Sequence, residues 1–141
     1  MCGIAGIFDP VALAAGIDQS TPWTRCLASL ARRGPDGQGT WIAPSRTAML
    51  GHTRLSIVDL SHAGDQPMVD ARRPIPITYN GELYNAPALR TQLESLGAVF
   101  RSRCDTEVLL HAWTHWGKGM LDRLLGMYSF VIWDDEQRSL F

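Results

Sequence analysis

The residue with the clearest potential for covalent chemistry is Cys2, which directly follows Met1. Because Cys2 is small, an aminopeptidase can remove Met1 and leave this cysteine at the N-terminus. The freed α-amine (pKa ~7.7–8.0) then lies beside a thiol (pKa ~8.5) and can accept its proton. While Met1 is attached, the Cys2 nitrogen is a non-basic amide, and we expect weak or absent activity. The alternative interpretation is a small buried side chain in a terminal strand.

Other side chains meet the remaining requirements for cleaving an amide. Asn80-Gly81 offers a side-chain amide beside an unhindered backbone N–H, and both can point at one developing oxyanion. Arg54 can bind a carboxylate through two hydrogen bonds, and Glu82 and Asp105 can hold an ammonium group. Simpler interpretations remain open, because Asn-Gly is a favoured hairpin turn and Arg54 can be a solvated surface residue. Asp105 also stands where a helix N-cap is expected.

Five sequence blocks occur in an order that resembles one enzyme family. The blocks are Met1-Cys2-Gly3-Ile4-Ala5-Gly6-Ile7-Phe8, Arg32-Arg33-Gly34-Pro35-Asp36-Gly37, Gly51-His52-Thr53-Arg54-Leu55-Ser56-Ile57-Val58-Asp59, Tyr79-Asn80-Gly81-Glu82-Leu83-Tyr84-Asn85 and Cys104-Asp105-Thr106-Glu107-Val108-Leu109. Together they resemble the glutaminase domain of glutamine-hydrolysing asparagine synthetases, which are class II glutamine amidotransferases and N-terminal-nucleophile hydrolases. The resemblance extends over residues 1–141, and the Arg-Gly-Pro-Asp-Gly block favours this branch over the sugar-phosphate and purine amidotransferases.

The resemblance implies a role for each matching residue. Cys2 is then the nucleophile that forms a thioester, and Asn80 with Gly81 forms the oxyanion hole. The residues implied to bind glutamine are Arg54, Ile57, Val58, Asn80, Gly81, Glu82 and Asp105. The family usually has serine where this chain has Cys104, which weakens hydrogen bonding in that loop but leaves the role of Asp105 unchanged.

The resemblance also implies partners and a wider reaction. L-Glutamine is the expected substrate of this domain, which needs no cofactor. ATP and Mg²⁺ are expected in a C-terminal synthetase domain that this chain lacks and that amidates aspartate, and a homodimer is a further possibility. Two alternatives stay open: an amidotransferase domain of the same branch that serves another acceptor, and a non-catalytic module that binds glutamine or a partner.

The elements that must position these residues follow from periodicity and turn signals. Short apolar runs predict strands at residues 3–8, 41–42, 48–52, 55–60, 75–79, 127–133 and 139–141. Helical spacing predicts three helices, beginning near Thr21, Asn85 and Thr106 and ending at Gly34, Gly97 and Gly117. Strands covered on both faces together with amphipathic helices predict an α+β layered fold. The resemblance specifies it as two antiparallel sheets sandwiched between helical layers (αββα), with the C-terminal strands missing.

Composition narrows the possible function classes. The 141 residues carry 13 Lys+Arg and 14 Asp+Glu without a block of like charge, which argues against binding to nucleic acid or an anionic membrane. Three cysteines without a CxxC pair, and no basic segment at the N-terminus, predict a cytoplasmic chain with free thiols. His111 and His115 are four residues apart but lack further ligands, so no metal site is predicted. The end within an apolar strand predicts a fragment of a longer protein that self-associates.

Overall fold

The computed structural model describes residues 1–8, 21–70 and 73–141, which form two antiparallel sheets between helices. The first sheet has the order β1–β3–β2, with β1 at Gly3–Phe8, β2 at Gly37–Ile42 and β3 at Ala48–Arg54. The second has the order β4–β5–β6–β7, with β4 at Met68–Val69, β5 at Pro76–Leu83, β6 at Gly126–Asp134 and β7 at Ser139–Leu140. The helices are α1 (Thr21–Leu30), α2 (Ala86–Ser95) and α3 (Asp105–Trp116), with 3-10 segments at His62–Gly64 and Gly117–Arg123.

Strand β3 is buried along its whole length because both of its faces are covered. On one face Met49 packs with Trp23 and Leu27 of α1. The opposite face points at the second sheet, where Leu50 packs with Trp133 of β6. The alternation of side chains along a strand therefore places β3 between a helix and a sheet.

The second sheet is covered on its outer face by α2 and α3. Ile77 and Leu83 of β5 share one apolar core with Leu93 of α2 and Leu109 of α3. Gly97 (φ +90°) and Gly117 (φ +52°) end these two helices in backbone conformations that favour glycine. The predicted arrangement of two sheets between helical layers is thereby confirmed.

One predicted strand and one alternative interpretation are wrong, and both concern site segments. The predicted strand 55–60 is an irregular loop, and β3 instead continues through Thr53 to Arg54, where it still pairs with β1 and β2. Asn80-Gly81 is not a turn but lies inside β5. Its residues pair with Ser129 and Tyr128 of β6, and this long-range pairing outweighs the local turn preference.

Two smaller differences affect the ends of elements. β2 begins at Gly37 rather than near Trp41, because its pairing with β3 extends to Arg54. The Asn85 side chain does not cap α2; it accepts from Leu125 N–H and donates to the Arg123 carbonyl. The predicted terminal strand is present, since Ser139–Leu140 pairs with β6. Among the described residues, no helix combines the length and the apolarity that crossing a membrane requires.

Candidate active site

A cavity of about 490 Å³ opens where β1, β3 and β5 bring their ends together. Its volume is within the range of small-ligand sites. Every residue predicted from the sequence to act in the site lines this cavity, namely Cys2, Arg54, Ile57, Val58, Asn80, Gly81, Glu82 and Asp105. The fold therefore brings together residues as distant in the chain as Cys2 and Asp105.

Cys2 is held just before β1 by groups from two other segments. The Leu55 N–H donates to Cys2 Sγ at 3.3 Å, and Arg33 Nε donates to the Cys2 carbonyl at 3.0 Å. Asp36 accepts from Ser56 N–H at 2.8 Å and so fixes the chain just after Leu55. Sequence reasoning used the Arg-Gly-Pro-Asp-Gly block only as a family signature and missed its contribution to positioning Cys2.

Gly34 of the same block allows the chain that follows α1 to pass close to β3. A Cβ atom at this position would lie 2.2 Å from the Thr53 carbonyl oxygen. Asp36 N–H also donates to the Arg54 carbonyl at 2.9 Å, which anchors the block to the end of β3. A residue with a side chain at position 34 would therefore displace β3 or the block next to Cys2.

The open edge of β5 presents backbone N–H groups to the cavity in an alternating series. Tyr79 N–H donates to Gln66 Oε1 at 2.6 Å, and Leu83 N–H donates to Asp105 Oδ2 at 2.8 Å. Because N–H groups two residues apart point the same way in a strand, Gly81 N–H lies on this edge between them. Among the described residues Gly81 N–H has no hydrogen-bond acceptor, so it is available to a ligand.

The backbone of β6 leaves no room for a side chain at position 81. A Cβ atom there would lie 2.4 Å from the Met127 carbonyl oxygen and 2.7 Å from Tyr128 Cα. The neighbouring Asn80 side chain projects on the same face as Thr78, whose hydroxyl donates to the Gly51 carbonyl of the first sheet. Asn80 thus faces the sheet that carries Cys2, and Gly81 contributes its N–H at the adjoining edge.

Two carboxylates line the same cavity in different surroundings. Asp105 is the first residue of α3, and its Oδ2 accepts from Leu83 N–H and, at 3.4 Å, from the Tyr79 hydroxyl. Burial raises the pKa of Asp105, and the charge of Glu82 acts in the same direction. Burial also raises the pKa of Tyr79 above its usual value, so Tyr79 stays a neutral donor. The N-cap position belongs to Cys104, so Asp105 does not act as the cap.

Arg54 is buried at the end of β3 and binds the loop that follows it. Its Nη1 donates to the Ser61 carbonyl at 2.8 Å and to Asp65 Oδ1 at 2.6 Å, and its Nη2 donates to the Asp59 carbonyl. Three of the five N–H groups of this guanidinium are thereby used. Arg54 therefore shapes the loop around the cavity, and its binding of a substrate carboxylate stays a prediction.

Ile57 and Val58 lie in that loop, and both are exposed at the cavity mouth. The loop is fastened at Asp59, whose Oδ2 accepts from Arg103 N–H at 2.9 Å and whose Oδ1 accepts from Ser61 N–H at 2.9 Å. The bond from Arg103, followed by those from Ser61, lowers the pKa of Asp59 to about 2. Asp59 thus connects the loop after β3 to the segment before α3 at the cavity mouth.

Cys104 also lines the cavity, and its Sγ lies 2.9 Å from Ser102 Oγ. Glu107 holds this loop independently of the cysteine, because its carboxylate accepts from Arg101 N–H, Ser102 N–H and Ser102 Oγ. His111 lies 4.0 Å from Glu107 and packs against the Phe100 ring. Across the described residues, no three or more His, Cys, Asp or Glu side chains gather in a possible metal site.

The chain is similar to known proteins along its whole length. A family model described as "Glutamine amidotransferase domain" matches residues 1–141. "Asparagine synthetase [glutamine-hydrolyzing] 3" of Bacillus subtilis is 36% identical over 143 residues, which cover 100% of this chain and 22% of that protein. "Amidase chyE" of Penicillium rubens is 34% identical over 148 residues, which cover 99% of this chain and 22% of that protein. The chain thus spans about a fifth of the length of these relatives.

A solved structure shares the fold. The glutamine phosphoribosylpyrophosphate (PRPP) amidotransferase from B. subtilis superimposes with a TM-score of 0.67 at 24% identity, covering 95% of this chain and 35% of that one. At this identity the similarity shows the arrangement of sheets and helices alone.

Proposed function

Since the chain belongs to the glutamine amidotransferase domain family, we propose that it hydrolyses L-glutamine to glutamate and ammonia through a thioester on Cys2. The observation that carries this chemistry is the open edge of β5. There Gly81 N–H has no acceptor among the residues that the structure describes, while the N–H groups on either side of it have one, and Gly81 lines the same cavity as Cys2. Such an oriented donor is what a developing oxyanion requires.

The reaction divides into two balanced steps. The Cys2 sulfur attacks the side-chain amide carbon of glutamine, and the α-amine freed by removal of Met1 accepts the thiol proton. The oxyanion that forms accepts from Gly81 N–H and the Asn80 side chain, and its collapse expels ammonia with the transferred proton. Water then attacks the thioester carbonyl, which gives glutamate and restores the thiol.

The amino-acid end of glutamine is assigned to the charged groups of the cavity. Glu82 and Asp105 would receive the substrate ammonium, since both carboxylates line the cavity and Asp105 is fixed by Leu83 N–H and Tyr79. Arg54 would receive the carboxylate with its remaining N–H groups. The main chain at Ile57 and Val58 would close the mouth over the substrate.

For the whole protein we propose glutamine-dependent asparagine synthesis in the cytoplasm. A C-terminal synthetase domain would bind ATP and Mg²⁺ and pass the ammonia to an activated aspartate. The support is the identity of 36% with an asparagine synthetase that is named as glutamine-hydrolysing. A homodimer stays a prediction. A comparable identity of 34% with an amidase keeps another acceptor as the second candidate.

The test of the glutaminase chemistry is Cys2→Ala, which removes the sulfur that forms the thioester. We expect ammonia release to fall to background while glutamine still binds, because binding rests on other residues. Cys26→Ala is the matched control, since Cys26 is an exposed free cysteine on α1. Intact mass is recorded for each sample, because only molecules without Met1 carry the N-terminal amine.

Two results would contradict the proposal. Turnover by Cys2→Ala at half the parental rate would exclude Cys2 as the nucleophile. Glutamine binding by the processed wild-type protein without any ammonia release would favour the non-catalytic module instead. The acceptor is tested separately, by asking whether the full-length protein forms asparagine from aspartate, ATP and glutamine.

A further inference from the structure

The edge of β5 next to the proposed oxyanion hole is held by two side chains. Within the described part of the chain, strand β4 pairs with β5 at Pro76 and Ile77 alone. Beyond that point Gln66 Oε1 accepts from Tyr79 N–H at 2.6 Å, and His52 Nε2 lies 3.1 Å from the Tyr79 carbonyl oxygen. We call these two side chains the Tyr79 clamp.

The bond to the Tyr79 carbonyl determines which nitrogen of His52 carries the hydrogen. A carbonyl oxygen only accepts, so Nε2 must carry the hydrogen, and Nδ1 is then a bare acceptor. Nδ1 has no partner among the residues that the structure describes. Burial lowers the pKa of His52 to about 4, so near neutral pH the imidazole is uncharged and donates through Nε2 alone. His52 is fully buried on β3 and so joins the first sheet to the second.

Gln66 connects a third element to the same peptide edge. Its Nε2 donates to Thr106 Oγ1 at 3.0 Å, at the start of α3 beside Asp105. It also lines both the main cavity and a second cavity of about 380 Å³, which His52 borders as well. The Tyr79 clamp therefore ties β5 to β3 on one side and to the start of α3 on the other.

We propose that His52 and Gln66 are positioning residues that set Gly81 N–H and the Asn80 side chain against Cys2 by holding both polar groups of Tyr79. Neither clamp residue touches the reacting atoms. They act through the backbone of β5, because Asn80 is one residue and Gly81 two residues after Tyr79. Loss of either hydrogen bond lets this edge of β5 shift relative to the sheet that carries the nucleophile. The inference rests on the proposed glutaminase function.

Four variants separate the hydrogen bonds from the packing. His52→Leu and Gln66→Met remove the clamp bonds at similar volume. His52→Gln keeps an N–H donor near the Nε2 position, and Gln66→Glu keeps an acceptor for Tyr79 N–H. Gln38→Met is the matched control, because Gln38 lines the second cavity but has no hydrogen bond to Tyr79.

The expected effect on ammonia release lies in kcat rather than KM. His52→Leu and Gln66→Met should each lower kcat on the order of tenfold or more, below the ~10²–10³ of losing an oxyanion donor outright. His52→Gln, Gln66→Glu and Gln38→Met should stay within about threefold of wild type. Affinity for glutamate γ-semialdehyde, whose adduct with Cys2 carries an oxyanion, should fall with kcat. Alkylation of Cys2 by iodoacetamide should keep its rate, since the nucleophile itself is intact.

A readout without turnover tests the clamp by itself. In wild type we expect Tyr79 N–H to exchange slowly with solvent deuterium and, in Gln66→Met, at least tenfold faster, while Glu82 N–H, paired with β6, is unchanged. Unaltered kcat in the clamp-removing variants of an active enzyme, or an equal loss of kcat and alkylation rate, would overturn the inference. If the wild-type protein releases no ammonia, the proposed function fails. If Tyr79 N–H exchanges rapidly in the wild-type protein, the Tyr79 clamp is overturned, whatever the activity.

Discussion

The two edges of β5 are stabilised by different kinds of hydrogen bond. One edge pairs with β6 backbone to backbone over seven residues, from Ile77 to Leu83. On the other edge, beyond Ile77, the acceptors for N–H groups are the side chains of Gln66 and Asp105. A neighbouring strand would accept from every second N–H group of β5 in turn. Side chains accept from individual N–H groups instead, and this arrangement leaves Gly81 N–H available to a substrate.

Gly81→Ala tests both edges at once and should have the largest effect. The new Cβ would lie 2.4 Å from the Met127 carbonyl oxygen on the paired edge, so β5 must move away from β6. We expect kcat to fall by at least the ~10²–10³ of a lost oxyanion donor. Overpacking should also lower the free energy of unfolding by roughly 1–3 kcal/mol. Ammonia release and urea denaturation measure the two effects.

Gly119→Ala is the control for the glycine exchange. No atom of the described part of the chain lies within 4 Å of a Cβ atom at position 119, in the 3-10 segment after α3, so the activity and stability of this variant should match wild type. An active Gly81→Ala protein would show that the open edge of β5 does not supply an oxyanion donor.

Asn80→Ala should come next, because it removes one donor without disturbing the pairing with β6. Losing one oxyanion donor costs ~10²–10³ in kcat, roughly 2.7–4 kcal/mol, and KM should change much less. Asn85→Ala is a matched exchange outside the cavity, where the side chain bonds to Arg123 and Leu125, and it should affect stability but not kcat. A change of Asn80→Ala confined to KM would assign Asn80 to substrate binding instead.

The residues proposed to act on the substrate are easier to predict from the sequence than the residues that position them. Cys2 and Asn80 are recognisable because their chemistry depends on residue type, a terminal position and the motif around them. The Tyr79 clamp is not recognisable, because His52 and Gln66 meet Tyr79 only after two sheets and a loop have packed together. For the same reason the turn preference of Asn80-Gly81 is misleading, since a local preference contains no information on pairing with the distant β6.

The layered architecture was more accessible from sequence because it follows from repeated patterns. Trp23 and Leu27 on α1, and Leu89 and Leu93 on α2, recur at helical spacing and are buried, whereas Leu96, which continues the spacing, caps the end of α2 and is exposed. The loop 55–60 was predicted as a strand because its residues are apolar. In the structure Ile57 and Val58 are exposed, which a burial argument from composition does not anticipate.

Asp105→Asn should have an intermediate effect on the open edge. The asparagine keeps an acceptor for Leu83 N–H but loses the charge proposed to hold the substrate ammonium. Hydrogen bonds to charged groups contribute about 1.5–3 kcal/mol, so KM for glutamine should rise roughly 10–100-fold while kcat changes less. Steady-state ammonia release measures both. If kcat fell and KM did not, Asp105 would act on β5 geometry through Leu83 rather than on the substrate.

The smallest effect is a pH dependence of stability from His52, the residue that joins the open edge of β5 to the first sheet. Its pKa in the folded protein is about 4 against an ordinary 6.5, because burial outweighs the bond to Tyr79; Arg54 lowers it further and Asp65 raises it. The unfolded chain therefore binds the proton first. Stability is complete above pH 6.5 and falls as the pH drops towards 4, by about 1 kcal/mol at pH 5.5.

His52→Gln removes this titration and keeps a donor to Tyr79, so it isolates the contribution of the imidazole. Urea denaturation at pH 7.5 and 5.5 should show a smaller loss of stability in the variant than in wild type, by about 1 kcal/mol. Asp59, with a pKa of about 2, and Asp105, with a raised pKa, are common to both proteins, so their contributions cancel in the difference. Equal losses in the two proteins would mean that folding does not lower the pKa of His52, which would contradict the burial of its imidazole beside the Tyr79 carbonyl.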